Sequence, residues 1–290
     1  MAESTKMKFN HHCARWLLVG LLLLFGAVPS LAQPAAKPQT SPPDIHARVT
    51  ETLVDSSIPD DQSVDKMLAA YSPKVRELDT VIGKLKGELR KGGIGAGSLG
   101  NFVTDGILAQ AREKLGKSVV MAITNGGGLR KNTVGEGELR VRDIFELLPF
   151  ENALVEFDLT GEQLLKLLGE VVSHRDAQAG ARIKYRTNAD KKLELVSARV
   201  LIDGREQEID PAAIYKVISI DYLWKRHSTT PSETEGNYSV LSQAKKIEPL
   251  GLTIRDAMIQ YVKSETAAGR DIKVNLDGRF SSENRGRTEP

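Results

Sequence analysis

Cysteine is almost absent from this 290-residue chain, the one example being Cys13 near its start. The rest of the sequence has no thiol for a nucleophile, a disulfide or a cysteine-type zinc site, which excludes cysteine phosphatases and thiol redox enzymes. An excess of one charge is also missing. Forty Lys and Arg face 38 Asp and Glu, and the first 32 residues hold three of those bases and one of the acids, which leaves the remainder neutral. Capture of a nucleic acid polymer by charge is therefore not expected. Histidine is sparse as well: of the five in the chain, only His46, His174 and His227 come after the first 32 residues, and none is paired at ligand spacing. No H-x-H or G-N-H-type cluster is present to supply a dinuclear metallohydrolase centre, the D-x-H of Asp44-Ile45-His46 stands alone in the proline-marked stretch, and Asp105, Asp143 and Asp158 read as caps and surface charges. No G-x-x-x-x-G-K-[ST] phosphate loop occurs.

What is present begins with an apolar run, Trp16 to Val28, behind a basic stretch that contains Arg15. The run is shorter than the roughly 20 residues that cross a bilayer, and Ser30 and Ala32 are small residues placed for cleavage before Gln33. Residues 1–32 are expected to be a secretory signal peptide, with an uncleaved anchor helix as the alternative. Pro34, Pro38, Pro42 and Pro43 mark residues 33–61 as a flexible linker, and residues 281–290 form a polar tail expected to be disordered.

Between them, residues 62–280 show interleaved helix and strand patterns. Helices are expected at about Ser63–Tyr71, ended or kinked by Pro73, at Gly100–Leu115, Arg142–Leu148 and Ile254–Glu265. Thr160 and Gln163 form a capping box that starts a further helix running to about Ser173. Strands are expected at Leu78–Leu89, Ser118–Thr124, Ala153–Asp158, Arg182–Arg186, Leu193–Ile202 and Tyr215–Ile220, with a hairpin turn at Asp203-Gly204. Several late strands joined by tight turns favour a single mixed-sheet α+β domain over a regular α/β repeat.

Gly95-Ala96-Gly97-Ser98-Leu99-Gly100 matches the dinucleotide pattern G-x-G-x-x-G, but Arg90 to Gly93 intervene after the preceding strand, so a plain flexible loop is the better reading. Asn125-Gly126-Gly127-Gly128-Leu129-Arg130 comes directly after a buried strand, and its glycines permit turns and close approaches. A ligand could lie on this loop with Arg130 on a phosphate and Asn125 at a base or sugar edge, or the loop could be only a tight connection with Arg130 solvated. Phe150 could plug the core or stack on a planar ligand, and Tyr238 could be a second stacking face or a surface tyrosine.

These motifs in order, Leu99-Gly100-Asn101 with Asp105, Asn125 to Arg130, Leu148-Pro149-Phe150-Glu151-Asn152, Leu159 to Leu164, Gly180-Ala181-Arg182 and Asp277-Gly278-Arg279-Phe280, resemble the C-terminal substrate-recognition domain of the exported bacterial and ecto 5′-nucleotidases. The resemblance runs from about Asp60 to Phe280. It implies a nucleotide or nucleoside ligand held by Asn125, Gly127 and Arg130 of the glycine loop, a base clamped between Phe150 and Tyr238, and a backbone contact at Gly180. In that family a separate metallophosphatase domain holds two metal ions and hydrolyses the ester, so no catalytic or metal-binding residue and no cofactor is assigned to this chain. A separately encoded metallophosphatase partner and a periplasmic or secreted location are expected, with no stable membrane span after signal cleavage. The sequence departs from the family at three points, one of them Glu235-Gly236-Asn237 before Tyr238 in place of the usual Gly-Gly-Asp-Gly. Gly92 to Ser98 carries no charged side chain where the family holds phosphate, and no Asp comes after Tyr238 in Ser239 to Lys246 to hold ribose hydroxyls. The competing expectations are a non-catalytic scaffold that has kept the fold and lost the ligand, and phosphate-ester hydrolysis by this chain alone at an unrecognised site.

Overall fold

A computed structural model describes residues 50–224 and 238–283. The expected signal peptide, most of the linker, His46, His227 and most of the tail lie outside them. The chain separates into two units after Pro59, the second beginning at Asp60. In order, the elements of the second unit are α1 (Gln62–Ala69), α2 (Ser72–Glu77), β1 (Val81–Lys86), β2 (Leu89–Arg90), α3 (Gly97–Leu115), β3 (Val119–Thr124), β4 (Thr133–Val134), β5 (Gly137–Arg140), α4 (Val141–Leu147) and β6 (Ala153–Thr160). Then come α5 (Gly161–His174), β7 (Ala177–Ala179), β8 (Ala181–Thr187), β9 (Leu193–Ile202), β10 (Arg205–Glu208), β11 (Ile214–Ile220), α6 (Asp221–Trp224), β12 (Lys246–Thr253), α7 (Ile254–Ala267), β13 (Ile272–Lys273) and β14 (Phe280–Ser282).

The central sheet has the order β12-β6-β11-β3-β7. β11 runs parallel to β3 and antiparallel to β6, so the sheet is mixed and the expected α+β class is correct. β3 is buried at all six positions, as its unbroken apolar sequence requires, because α3 packs against it and strands flank it on both sides. A second sheet, β10-β9-β8-β14, packs its β9 against α5. The Asp203-Gly204 turn joins β9 to β10 as an antiparallel hairpin.

Local chemistry sets the helix ends. Thr160 accepts from the Gln163 N–H while the Gln163 side chain accepts from the Thr160 N–H, which closes the capping box in front of α5. Leu164, Leu167, Leu168, Val171 and Val172 then form its buried stripe. α3 is buried over most of its circumference, and Gly106 lets α7 approach it: a Cβ there would stand 2.5 Å from the Met258 Sδ. Arg279 of the closing Asp-Gly-Arg motif is buried and donates to both Asp105 carboxylate oxygens, at 2.9 and 3.0 Å, so the C-terminal segment is pinned to α3.

The structure differs from the sequence reading in several elements. Pro73 does not merely end the first helix but stands in the first turn of α2, where its missing N–H costs no hydrogen bond. Residues 78–80 continue from α2, so the first strand starts only at Val81. The third helix begins three residues before Gly100, and Gly95 just ahead of it is packed, although Gly92 and Gly93 stand in open space. Gly95 has φ +75 and its N–H donates to the Arg175 carbonyl, while a Cβ on it would stand 2.5 Å from the Phe280 ring. The short strands β4, β5, β7, β13 and β14, together with β10 and β12, carried no alternating apolar pattern that could announce them.

α1 and α2 contain no buried residue, whereas the stripe of α5 is fully buried. Leu168→Ala is expected to lower stability to urea by about 2–5 kcal/mol through lost transfer energy and a cavity. Met67→Ala, on the exposed face of α1, should stay within about 0.5 kcal/mol.

Candidate functional site

Three chain segments reach one end of the central sheet. β3 and β11 are parallel and both end there, at Thr124 and Ile220, and the antiparallel β6 begins there, with Ile220 opposite Leu154. The residues just beyond these strand ends are Asn125 to Arg130, Asp221-Tyr222, and Phe150 to Asn152. They line a cavity of about 450 Å³ made by Asn125, Gly127, Gly128, Arg130, Phe150, Asn152 and Tyr222. Its size lies within the roughly 300–1,000 Å³ usual for small-molecule sites. A crevice outside the carboxyl ends of strands is also where open sheets place ligands.

The glycine loop forms a single 3-10 turn, Gly126–Gly128, entered from Asn125 in an extended conformation. None of its three glycines has a positive φ. Of the turns and close approaches that glycine permits, the close approach is what the loop uses: a Cβ on Gly128 would stand 2.9 Å from Asn125 Oδ1. That oxygen is buried and finds no hydrogen-bond donor among the described residues. A buried acceptor without a partner is costly unless a ligand or water supplies the donor.

Backbone hydrogen bonds draw the other segments together. The Arg130 N–H donates to the Leu147 carbonyl at 2.9 Å, which brings the end of the glycine loop to the end of α4. The Arg130 guanidinium lies 5.7 Å from the centre of the Phe150 ring and reaches back to the Gly127 carbonyl at 3.4 Å. Phe150 is 49% exposed and Tyr222 is 44% exposed, so both rings present area to the cavity. Asp221 accepts the Ala153 N–H at 3.1 Å and so ties the Tyr222 segment to the start of β6.

Of the residues singled out from the sequence, Asn125, Gly127, Arg130 and Phe150 lie together in this cavity. Tyr238 and Gly180 do not. Tyr238 is 1% exposed, and its hydroxyl donates to Asp176 Oδ2 at 2.7 Å, so its ring cannot be the second face of a clamp. Tyr222 is the aromatic residue that lines the cavity together with Phe150. Gly180 joins β7 to β8 with φ +102, and a Cβ there would meet the Val120 carbonyl at 2.0 Å. Val120 is at the far end of β3 from Asn125, so Gly180 serves close backbone packing and not the pocket. Asp143 caps α4 by accepting the Arg140 N–H, Asp105 holds Arg279, and Asp158 pairs with Lys216. Among the described residues no group of three or more His, Cys, Asp or Glu is placed to hold a metal ion.

Two residues that bear on the site carried no sequence signal. Tyr222 stands two residues past a strand whose neighbours in the sheet are distant in sequence. Asp176 comes after α5 and Arg175, whose left-handed φ of 61 turns the chain back. Its carboxylate accepts the Gly126 N–H on Oδ1 at 2.8 Å and the Tyr238 hydroxyl on Oδ2. Burial pushes the Asp176 carboxyl up, against the opposing pull of the Gly126 and Tyr238 hydrogen bonds and of His174. Burial and the Asp176 charge push the Tyr238 hydroxyl well above its ordinary range, so it remains a donor.

A family model for the 5′-nucleotidase C-terminal domain matches residues 80–233. The chain belongs to that family. It is 28% identical over 191 residues to the trifunctional nucleotide phosphoesterase YfkN of Bacillus subtilis, covering 63% of this chain and 12% of that protein. It is 25% identical to a 5′-nucleotidase of Vibrio vulnificus, over 61% of this chain and 31% of that enzyme. Among solved structures, a 5′-nucleotidase precursor from Thermus thermophilus superposes with a TM-score of 0.62 at 24% identity, over 79% of this chain and 43% of the other. The Haemophilus influenzae NAD nucleotidase gives 0.56 at 20% identity, over 77% and 42%. These two structures show the fold, and the chain spans less than half the length of each of these four proteins. Among the described residues no helix is long and apolar enough to cross a membrane.

The raised Asp176 carboxyl sets a pH dependence whose sign can be worked out. A carboxyl that binds its proton more tightly when folded favours the fold most below the unfolded value of 3.8, and that contribution is lost as the pH rises through the raised value. Asp176→Asn keeps an acceptor for the Gly126 N–H and removes the charge. Denaturant melts from pH 3 to 7 are expected to show the stability difference moving in the variant's favour as pH increases; a difference that is flat or moves the other way would contradict the assignment.

Proposed function

We propose that this 5′-nucleotidase C-terminal domain is a recognition module for nucleotides or nucleosides in nucleotide breakdown, exported by its N-terminal segment to the periplasm or medium. Phosphate-ester hydrolysis then depends on a separately supplied metallophosphatase, which carries the divalent metals. The observation that supports this reading most is the pairing of Phe150 and Tyr222, two partly exposed rings in one cavity whose other walls are asparagine amides, glycine backbone and Arg130.

Each wall supplies part of what such a ligand needs. Stacking of a base on an aromatic ring is worth about 1–3 kcal/mol in single-strand binders, independent of base identity. The amides of Asn125 and Asn152 both donate and accept, which suits the mixed edges of a base or the hydroxyls of a sugar. Arg130 offers a planar fork of donors to phosphate, and its exchange of the Phe150 ring for an anion is favourable because charge-assisted bonds are the stronger interaction. The activities for which the Bacillus and Vibrio relatives are named, nucleotide phosphoesterase and 5′-nucleotidase, agree with this ligand class. A scaffold that has lost its ligand is the second reading, favoured by the lack of any charged side chain from Gly92 to Ser98.

Calorimetric titration of the purified chain with AMP and adenosine, with divalent metal added and released phosphate assayed, separates the two. Saturable binding without phosphate release is expected. Arg130→Ala should weaken AMP by roughly ten- to a hundredfold, as for loss of a charged hydrogen bond, with far less effect on adenosine. Phe150→Ala should weaken both. A folded protein that binds neither ligand makes the scaffold reading correct, and phosphate release by the chain alone would overturn the division of labour.

A further inference from the structure

The turn that carries Phe150 is irregular backbone, and its carbonyls need donors that no strand provides. Two of them are met by one buried side chain. Arg255, in the first turn of α7 and 8% exposed, donates from Nε to the Leu148 carbonyl at 3.1 Å and from Nη2 to the Pro149 carbonyl at 2.7 Å. Its Nη1 stands 3.7 Å from the Glu151 carboxylate, and its guanidinium carbon lies 4.1 Å from the centre of the Phe145 ring. The next residue of the turn, Asn152, offers its carbonyl to the Ile254 N–H at 2.9 Å, immediately before Arg255. Leu148, Pro149 and Asn152 are thus held by hydrogen bonds from the start of α7, exposed Glu151 only by a long ion pair, and the Phe150 ring is left to face the cavity.

We propose that Arg255 is the positioning residue of the pocket: it touches no ligand, and it holds the Leu148–Asn152 turn so that the Phe150 ring stays poised for stacking opposite the Tyr222 segment. This rests on the reading of the cavity as a nucleoside site. The guanidinium suits the task because it is planar, permanently charged and able to donate along several directions while stacked on an aromatic ring. Lysine carries the same charge on a point donor and cannot satisfy two carbonyls while lying flat on Phe145, so charge alone does not replace it.

The test uses the full chain with Arg255→Lys, and Phe145→Leu as a milder variant that removes only the stack. Two readouts are taken beside thermal melting: amide hydrogen exchange across residues 145–155, and adenosine affinity. The expected result is faster exchange confined to that segment, with adenosine bound at least tenfold more weakly by Arg255→Lys and less severely by Phe145→Leu. Unchanged exchange in the segment, or faster exchange with unchanged affinity, overturns the inference while the nucleoside reading stands. Should Arg255→Lys fail to fold, the same outcomes are read from Phe145→Leu, whose affinity must fall with its local protection. A parent protein that binds no adenosine, AMP or other nucleotide overturns the nucleoside reading and this inference with it.

Discussion

The register between β6 and β11 is the constraint on which the rest of the structure depends. Seven consecutive pairs, from Ile214 opposite Thr160 to Ile220 opposite Leu154, lock the two strands together. Slipping that pairing by one residue would turn Phe157 and Val217 from the core to the other face of the sheet, so burial enforces it. With the register fixed, the start of β6 and the end of β11 lie at one level, and the parallel pairing of β11 with β3 brings the end of β3 to the same level. Asn125, Phe150 and Tyr222 then meet, although 97 residues of sequence separate the first from the last.

A sheet delivers segments to a site but does not shape them once their ladder hydrogen bonds stop. Here charged side chains take over. Asp176 holds the glycine loop, Asp221 holds the start of β6, and Arg255 holds the turn before it. Charge in such places is costly to bury unless hydrogen bonds compensate it. The Asp176 carboxyl, pushed up by burial, records that cost directly. The expense falls on groups around the cavity, while the cavity itself keeps an unpartnered Asn125 oxygen and two rings with exposed faces.

Much of this is legible in the sequence where one segment contains its own cause. The capping box of Thr160 and Gln163, the unbroken apolar β3 and the Asp203-Gly204 hairpin each carry their signal within a few residues. The motif series also points to Asn125, Gly127, Arg130 and Phe150, which the fold brings together. The features that escape a sequence reading depend on partners far along the chain. Tyr238 reads as a stacking face or a surface tyrosine, and only the fold shows it buried, with its hydroxyl on Asp176, 62 residues earlier. Gly180 reads as a ligand contact, and only the backbone of Val120 shows why no side chain is allowed there. The short strands owe their existence to neighbours already in place, since two or three residues do not form a strand alone.

The proposed site takes a planar base between Phe150 and Tyr222 at the ends of β3 and β11. Intermolecular nuclear Overhauser effects from the base protons of bound adenosine measure it most directly, with the aromatic rings isotopically labelled. Contacts from the base to both the Phe150 and Tyr222 rings, and none to Tyr238, are expected. Saturable binding with contacts to neither ring, or with contacts to Tyr238 instead, would contradict it.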